Sequence, residues 1–119
     1  MSGWDSSKKI LMEELLFENK KVLDVGCGNG WFSIWADRNG CSVDAIDPSA
    51  AQIKDSKDKD KTNKINFMVA GAENINDLNN CYDLIFFFNS LHHIPDTMMD
   101  KSIKYSKNKM DRNGSIIII

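Results

Sequence analysis

The stretch Val22-Leu-Asp-Val-Gly-Cys-Gly-Asn-Gly-Trp-Phe-Ser33 decides how this chain is read. Lys21–Val25 is short, mostly apolar and stopped by glycine, the pattern of a strand. Gly30–Asn39 reads as a helix with Phe32, Ile34, Trp35 and Ala36 as its apolar positions and Asn39-Gly40 as its stop signal. Between the two lie Gly26, Gly28 and Gly30 at alternate positions. Three such glycines let the backbone turn tightly and let a ligand lie against bare peptide groups, with a helix start behind them. Asp24, two residues before the first glycine, and the strand–loop–helix setting favour a ligand site over a plain turn.

Working outward, Ser42–Ile46, Ile65–Val69, Cys81–Phe88 and Ser115–Ile119 read as further strands. Helices are predicted over Asp5–Asn19, Ser49–Asp60 and from Pro95-Asp96 onward, where Met99, Ile103, Ser106 and Met110 share a face. The sign-alternating tail Lys54–Lys61 reads as a solvated helix end, and Arg112-Asn113-Gly114 as a turn. Strands alternating with crossover helices give an α/β fold: an open, doubly wound, mostly parallel sheet of about five strands with helices on both faces. Ligands of such sheets bind beyond the carboxyl ends of the strands where the winding reverses, here between the first and fourth.

With 119 residues, 42% hydrophobic and 27% charged, the chain is expected to form one globular domain over 1–119. Fifteen basic against seventeen acidic side chains give a formal net charge of −2, which makes nucleic acid an unlikely partner on electrostatic grounds. Leu84–Phe88 and Ile116–Ile119 are too short to span a bilayer, and the start carries no secretory signal pattern. Cys27, Cys41 and Cys81 are odd in number and without paired spacing, so no disulfide framework or zinc site is expected and a reducing cytoplasm is the natural setting.

The glycine spacing narrows the ligand. The dinucleotide pattern needs a third glycine where this chain has Trp31, whose ring obstructs pyrophosphate, and no Gly-Lys-Ser/Thr is present. A ligand with a charged amino-acid end fits better. Asp47, closing the second strand, is placed to accept hydrogen bonds from two ribose hydroxyls; the alternative is a cap for the helix near Ser49. Asp44, on the other face, reads as structural or exposed.

Taken together, these residues resemble the class I S-adenosylmethionine-dependent methyltransferases, in particular their small-molecule, type 11-like group. Val22–Ser33 is similar to the first motif, Ile46-Asp47-Pro-Ser to the ribose motif, and Val69–Ile75 to the loop bordering adenine. Tyr82–Ile94 resembles the fourth-strand motif, and Asn113–Ile119 the fifth strand with its lead-in. The resemblance implies a Rossmann-like methyltransferase fold with S-adenosylmethionine as cofactor. It implies that Asp24, Gly26, Cys27, Gly28, Asn29 and Gly30 hold the methionine end, with Asp24 near its amino group. Asp47 would bind the ribose and Pro48 lie against the adenine, which Ala72 and Glu73 would border; Asn89 would sit beneath the sulfonium, facing the substrate. The family often has an acid where this chain has Gly71, so an adenine hydrogen bond is either missing or supplied by Glu73.

The implied activity is methyl transfer to a small-molecule acceptor by in-line displacement. The alternative is a cofactor-binding module or partner-dependent subunit without activity of its own. No catalytic residue is assigned: one of His92 and His93 reads as packed or hydrogen-bonded in its loop, and the pair lacks further metal ligands nearby. Relative to the family the domain lacks its C-terminal strands, and little of the chain is left to cap the cofactor, which favours a small acceptor. A fifth strand as apolar as Ile116–Ile119 is expected to be buried, so either the sequence is a piece of a longer protein or a partner, such as a second copy, covers the edge.

Overall fold

The computed structural model describes residues 19–87 and 96–118. The expected helix at 5–19 falls outside them apart from Asn19. Five strands form one parallel sheet: β1 (Lys21–Val25), β2 (Ser42–Asp47), β3 (Asn66–Val69), β4 (Tyr82–Phe87) and β5 (Met110–Ile118). Their order is β3-β2-β1-β4-β5, so the winding reverses between β1 and β4 as the sequence predicts. The crossovers are α1 (Trp31–Arg38), α2 (Ala50–Lys59) and α3 (Asp96–Asn108), with a 3-10 turn at Ala72–Asp77 before β4.

The central strands are apolar on both faces because both faces are covered. Val22, Val43, Ala45, Phe67, Leu84 and Phe86 pack with Phe32 and Ala36 of α1 and Ile53 of α2. The Phe32 and Phe86 rings meet with centroids 4.7 Å apart. Leu23, Val25, Ile46, Ile85 and Phe87 face the other way, toward Ile75 of the 3-10 turn and Tyr105 of α3. Helices therefore lie on both sides of the sheet. At the amino end of β4 the buried Tyr82 hydroxyl donates to Asp44 Oδ2 at 2.6 Å, which makes Asp44 structural.

Ser49 caps α2, its hydroxyl accepting from the Gln52 amide at 3.3 Å. The charged tail of that helix carries one exposed i,i+4 pair, Lys59–Asp55 at 2.9 Å, as a solvated face would. Three elements depart from expectation. The stretch Val69–Ile75, likened to a loop, runs from the end of β3 into the 3-10 turn, where Gly71 and Asn74 exchange hydrogen bonds of 3.0 Å. Met110, expected on the last helix, instead begins β5. Arg112-Asn113-Gly114 is an irregularity inside that strand rather than a turn before it, since the register slips between Tyr82↔Met110 and Leu84↔Ser115. A Cβ at Gly114 would sit 3.0 Å from the carbonyl oxygens of Asp111 and Tyr82, so glycine permits that close approach.

Burial of β5 also falls short of expectation. Ile116 and Ile117 are half-buried and Ile118 is 47% exposed, because no strand among the described residues lies on the outer side of this edge. No helix among the described residues is long and apolar enough to cross a membrane, and no group of metal-ligating side chains occurs among them.

Candidate functional site

The loop 26–30 leaves the carboxyl end of β1 beside β2. It is pinned there by two amides, Gly26 N and Cys27 N, which both donate to the Ile46 carbonyl at 2.8 and 2.9 Å. Gly30 N closes the loop on the Cys27 carbonyl at 3.0 Å, and Gly28 N donates to Asp47 Oδ2 at 3.0 Å. Asn29, exposed, turns its side-chain oxygen to the Trp31 amide at 3.3 Å. The glycines thus do not leave a row of bare amides for a ligand: four of the loop's N–H groups are engaged within the protein. What they provide is space. Gly28 has φ +55, and a Cβ there would meet nothing within 4 Å, so its α-carbon faces open space. Gly30, at φ +82, is the opposite case: a Cβ would sit 2.8 Å from Ser56 Cβ and Oγ. Cys27 turns its thiol into the core, where burial pushes its pKa far up and leaves it inert.

Two carboxylates flank the loop. Asp24 is 1% exposed; Ser33 Oγ of α1 donates to its Oδ2 at 2.7 Å, while its Oδ1 is buried with no hydrogen-bond partner. Burial pushes its pKa up to about 7; the Ser33 bond pulls it down and the charge of Asp47 adds to the rise. A buried oxygen in this state is an acceptor lacking a donor. Asp47 accepts the Gly28 amide on Oδ2 and the Ser49 amide, 2.8 Å away, on Oδ1. The cap of α2 is Ser49 and not Asp47, whose carboxylate instead ties the amide of that capping residue to the loop, and each oxygen keeps a lone pair for a further donor.

Around Asp47 the surface is apolar. Pro48 is exposed, and Val69, aligned with Asp47 across β2 and β3, is 56% exposed. Ala70 N reaches back to the Asp47 carbonyl at 3.0 Å, which carries the following 3-10 turn to the same end of the sheet. There Ala72 is buried, and the Glu73 carboxylate folds over Gly71, its Cδ 2.6 Å from where a Gly71 Cβ would stand. Glu73 therefore occupies the space that a side chain at 71 would fill.

The structure brings Asp24, the 26–30 loop and Asp47 into one constellation, and the start of the 3-10 turn lies at the same sheet end. Asn89, His92 and His93 lie outside the described residues. Two participants were missed by sequence reading: Ser33, which holds Asp24, and Ser56, whose hydroxyl donates toward the Gly28 carbonyl at 2.8 Å. The only signal for them was their inward place on the helical pattern, Ser56 standing three residues after Ile53.

Comparison with known proteins agrees with this geometry. Residues 22–114 match the family model of a methyltransferase domain. The chain is 35% identical over 112 residues to the ubiquinone biosynthesis O-methyltransferase of Pelagibacter ubique, covering 92% of this chain and 45% of that protein. It is 31% identical over 113 residues to the tRNA U34 carboxymethyltransferase of Nautilia profundicola, covering 92% and 37%. Among solved structures, a Listeria monocytogenes protein described as a candidate S-adenosylmethionine-dependent methyltransferase superposes with a TM-score of 0.79 at 25% identity, over 96% of this chain and 55% of that one. The chain spans less than half the length of these two curated relatives. Sheet order, glycine loop and family match converge, and the chain belongs to the S-adenosylmethionine-dependent methyltransferases.

Proposed function

We propose that this chain binds S-adenosylmethionine in the crevice in front of Gly28 and directs its methyl group to a small-molecule acceptor. The observation that carries the reading is the pairing of a glycine loop whose amides are already used with two carboxylates beside it. Such a site is poor for a phosphate, which needs free amides, and well suited to a cationic ligand.

The residues divide the work. Asp24 Oδ1 is the acceptor for the ligand's ammonium group, and Ser33 holds the carboxylate in place. The free lone pairs of Asp47 receive the ribose hydroxyls, and the exposed faces of Pro48 and Val69 take the adenine ring. Glu73, lying over Gly71, is placed to accept from an adenine amino group that an acid at 71 would otherwise meet. Asn89, two residues beyond β4, would border the acceptor, as the family resemblance implies. When bound, the cofactor supplies a sulfonium methyl, an electrophile ready for direct displacement. The protein's task is then alignment, and good orientation of reacting groups is worth roughly 7–11 kcal/mol of barrier.

A small acceptor is favoured over tRNA by the net charge of −2, which offers a polyphosphate backbone little attraction. The test is calorimetry with S-adenosylmethionine and S-adenosylhomocysteine, followed by transfer of labelled methyl to separate metabolite, tRNA and protein pools. Label in a metabolite is the expected result. Label confined to tRNA or protein overturns the acceptor class, and absence of binding overturns the cofactor. The partly exposed Ile116–Ile118 edge favours a second reading, a binding module that works only with a partner; binding without transfer to any pool would select it.

A further inference from the structure

We infer that Ser56 is a positioning residue of the cofactor loop, its hydroxyl fixing the Gly28 carbonyl while the Asp47 carboxylate fixes the amide of the same glycine. The inference rests on the cofactor reading above and adds a residue to it.

Ser56 lies on α2 and is fully buried, on a helix whose described inward face is otherwise Ile53. Its Oγ stands 2.9 Å from the Gln52 carbonyl and 2.8 Å from the Gly28 carbonyl. A serine bonding back one turn along its own helix is ordinary. The second acceptor is not, since it lies 28 residues away in the sequence, in the glycine loop. A hydroxyl carries one proton, so the two carbonyls share it, and the helix and the loop become one hydrogen-bonded unit.

Size matters as much as donation. A Cβ on Gly30 would fall 2.8 Å from both Ser56 Cβ and Oγ, so α2 rests directly on the loop backbone. Leucine or valine at 56 would force the loop outward, whereas alanine would fit but leave the Gly28 carbonyl only the weak Cys27 thiol donor at 3.9 Å. With Asp47 on its amide and Ser56 on its carbonyl, Gly28 is held on both sides, one bond restraining each of its two flanking peptide planes. The α-carbon that meets open space is held facing it.

The test compares Ser56→Ala with Tyr82→Phe, which removes a buried hydroxyl from the amino end of β4, away from the crevice. Affinity for S-adenosylhomocysteine is read by calorimetry, and the Gly28 carbonyl 13C resonance by NMR on the whole chain. Ser56→Ala is expected to weaken binding about 5- to 10-fold, the worth of one hydrogen bond, and to shift that resonance. Tyr82→Phe is expected to lower thermal stability and change neither. Ser56→Cys, close to serine in volume and a weak donor, gives the same readouts should the alanine variant fold poorly. Unchanged affinity in the Ser56 variants overturns the inference, with or without a shifted resonance. Should the unaltered chain bind no cofactor, the functional reading falls, and an unshifted Gly28 resonance would sink the positioning role as well.

Discussion

Asp24 is a buried carboxyl that the folded state makes costly to ionise, and Asp24→Asn isolates that cost. Burial raises its carboxyl from 3.8 to about 7. The folded chain therefore holds a proton here that the unfolded chain has released between those two values. Stability contributed by this group is fully present below about pH 4 and is lost as pH rises to 7. A shift of about three units amounts to roughly 4 kcal/mol over the whole range, at about 1.4 kcal/mol per pH unit. Between about pH 5 and pH 7, where the rest of the molecule is easiest to study, the loss is roughly 2 kcal/mol.

Urea denaturation of both forms across that window measures it. The asparagine carries no ionisable group, and its unpartnered N–H adds an offset that does not vary with pH. The difference curve therefore reports Asp24 together with its charge coupling to Asp47. The unaltered chain should lose stability relative to Asp24→Asn as pH rises through this window, and saturating S-adenosylhomocysteine should flatten the slope by placing an ammonium beside Oδ1. Parallel curves in the free proteins would refute the account of Asp24 as a buried acid. A slope that survives the ligand would refute its role toward the ammonium.

The two glycines of the loop should fail in different ways. Gly28→Ala keeps near-normal stability, losing only about 1 kcal/mol to its φ of +55, but puts a methyl into the crevice and abolishes detectable cofactor binding by calorimetry. Gly30→Ala meets Ser56 and should lower the urea midpoint by an amount equivalent to about 2–3 kcal/mol. Asp47→Ala removes two accepted amide bonds and the proposed ribose contact, so affinity should fall by about 100-fold or more, read by the same titration. Ile118→Lys places a charge on the half-exposed β5 edge and should shift sedimentation toward monomer if copies pair there; an unaltered chain that is already a clean monomer at high concentration contradicts the pairing.

How much of this was legible beforehand depended on what each residue has to do. β1 was read to the residue because a glycine stops it and its neighbours are apolar on both faces. β5 was misplaced because Asn113-Gly114 is turn chemistry, and the fold uses it for a bulge in mid-strand where Gly114 lets two carbonyls come close. The 3-10 turn at Ala72–Asp77 is too short to leave a period. Asp24 and Asp47 stood out because acids at strand ends beside glycines are conspicuous. Ser33 and Ser56 did not, because a serine that faces inward to hold another group looks, in one sequence, like a serine that faces water.

The amides of the loop explain why this frame takes a cation where a similar one takes a phosphate. In a doubly wound sheet the first loop sits at the winding reversal whatever its ligand, so topology alone is silent about charge. A phosphate site leaves its N–H groups unengaged and adds no acid. Here Gly26, Cys27, Gly28 and Gly30 give their N–H groups to Ile46, Asp47 and Cys27, and the glycines are retained for space rather than for donation. Acceptors then dominate beside the loop: Asp24 Oδ1, buried without a donor, and Asp47 with lone pairs to spare. Ionising the buried Asp24 costs the free protein stability, and a ligand carrying positive charge would offset that cost, so affinity and the stability of the unliganded chain are coupled through this one carboxylate. Replacing Asp24 by a neutral residue should therefore raise the second only by weakening the first.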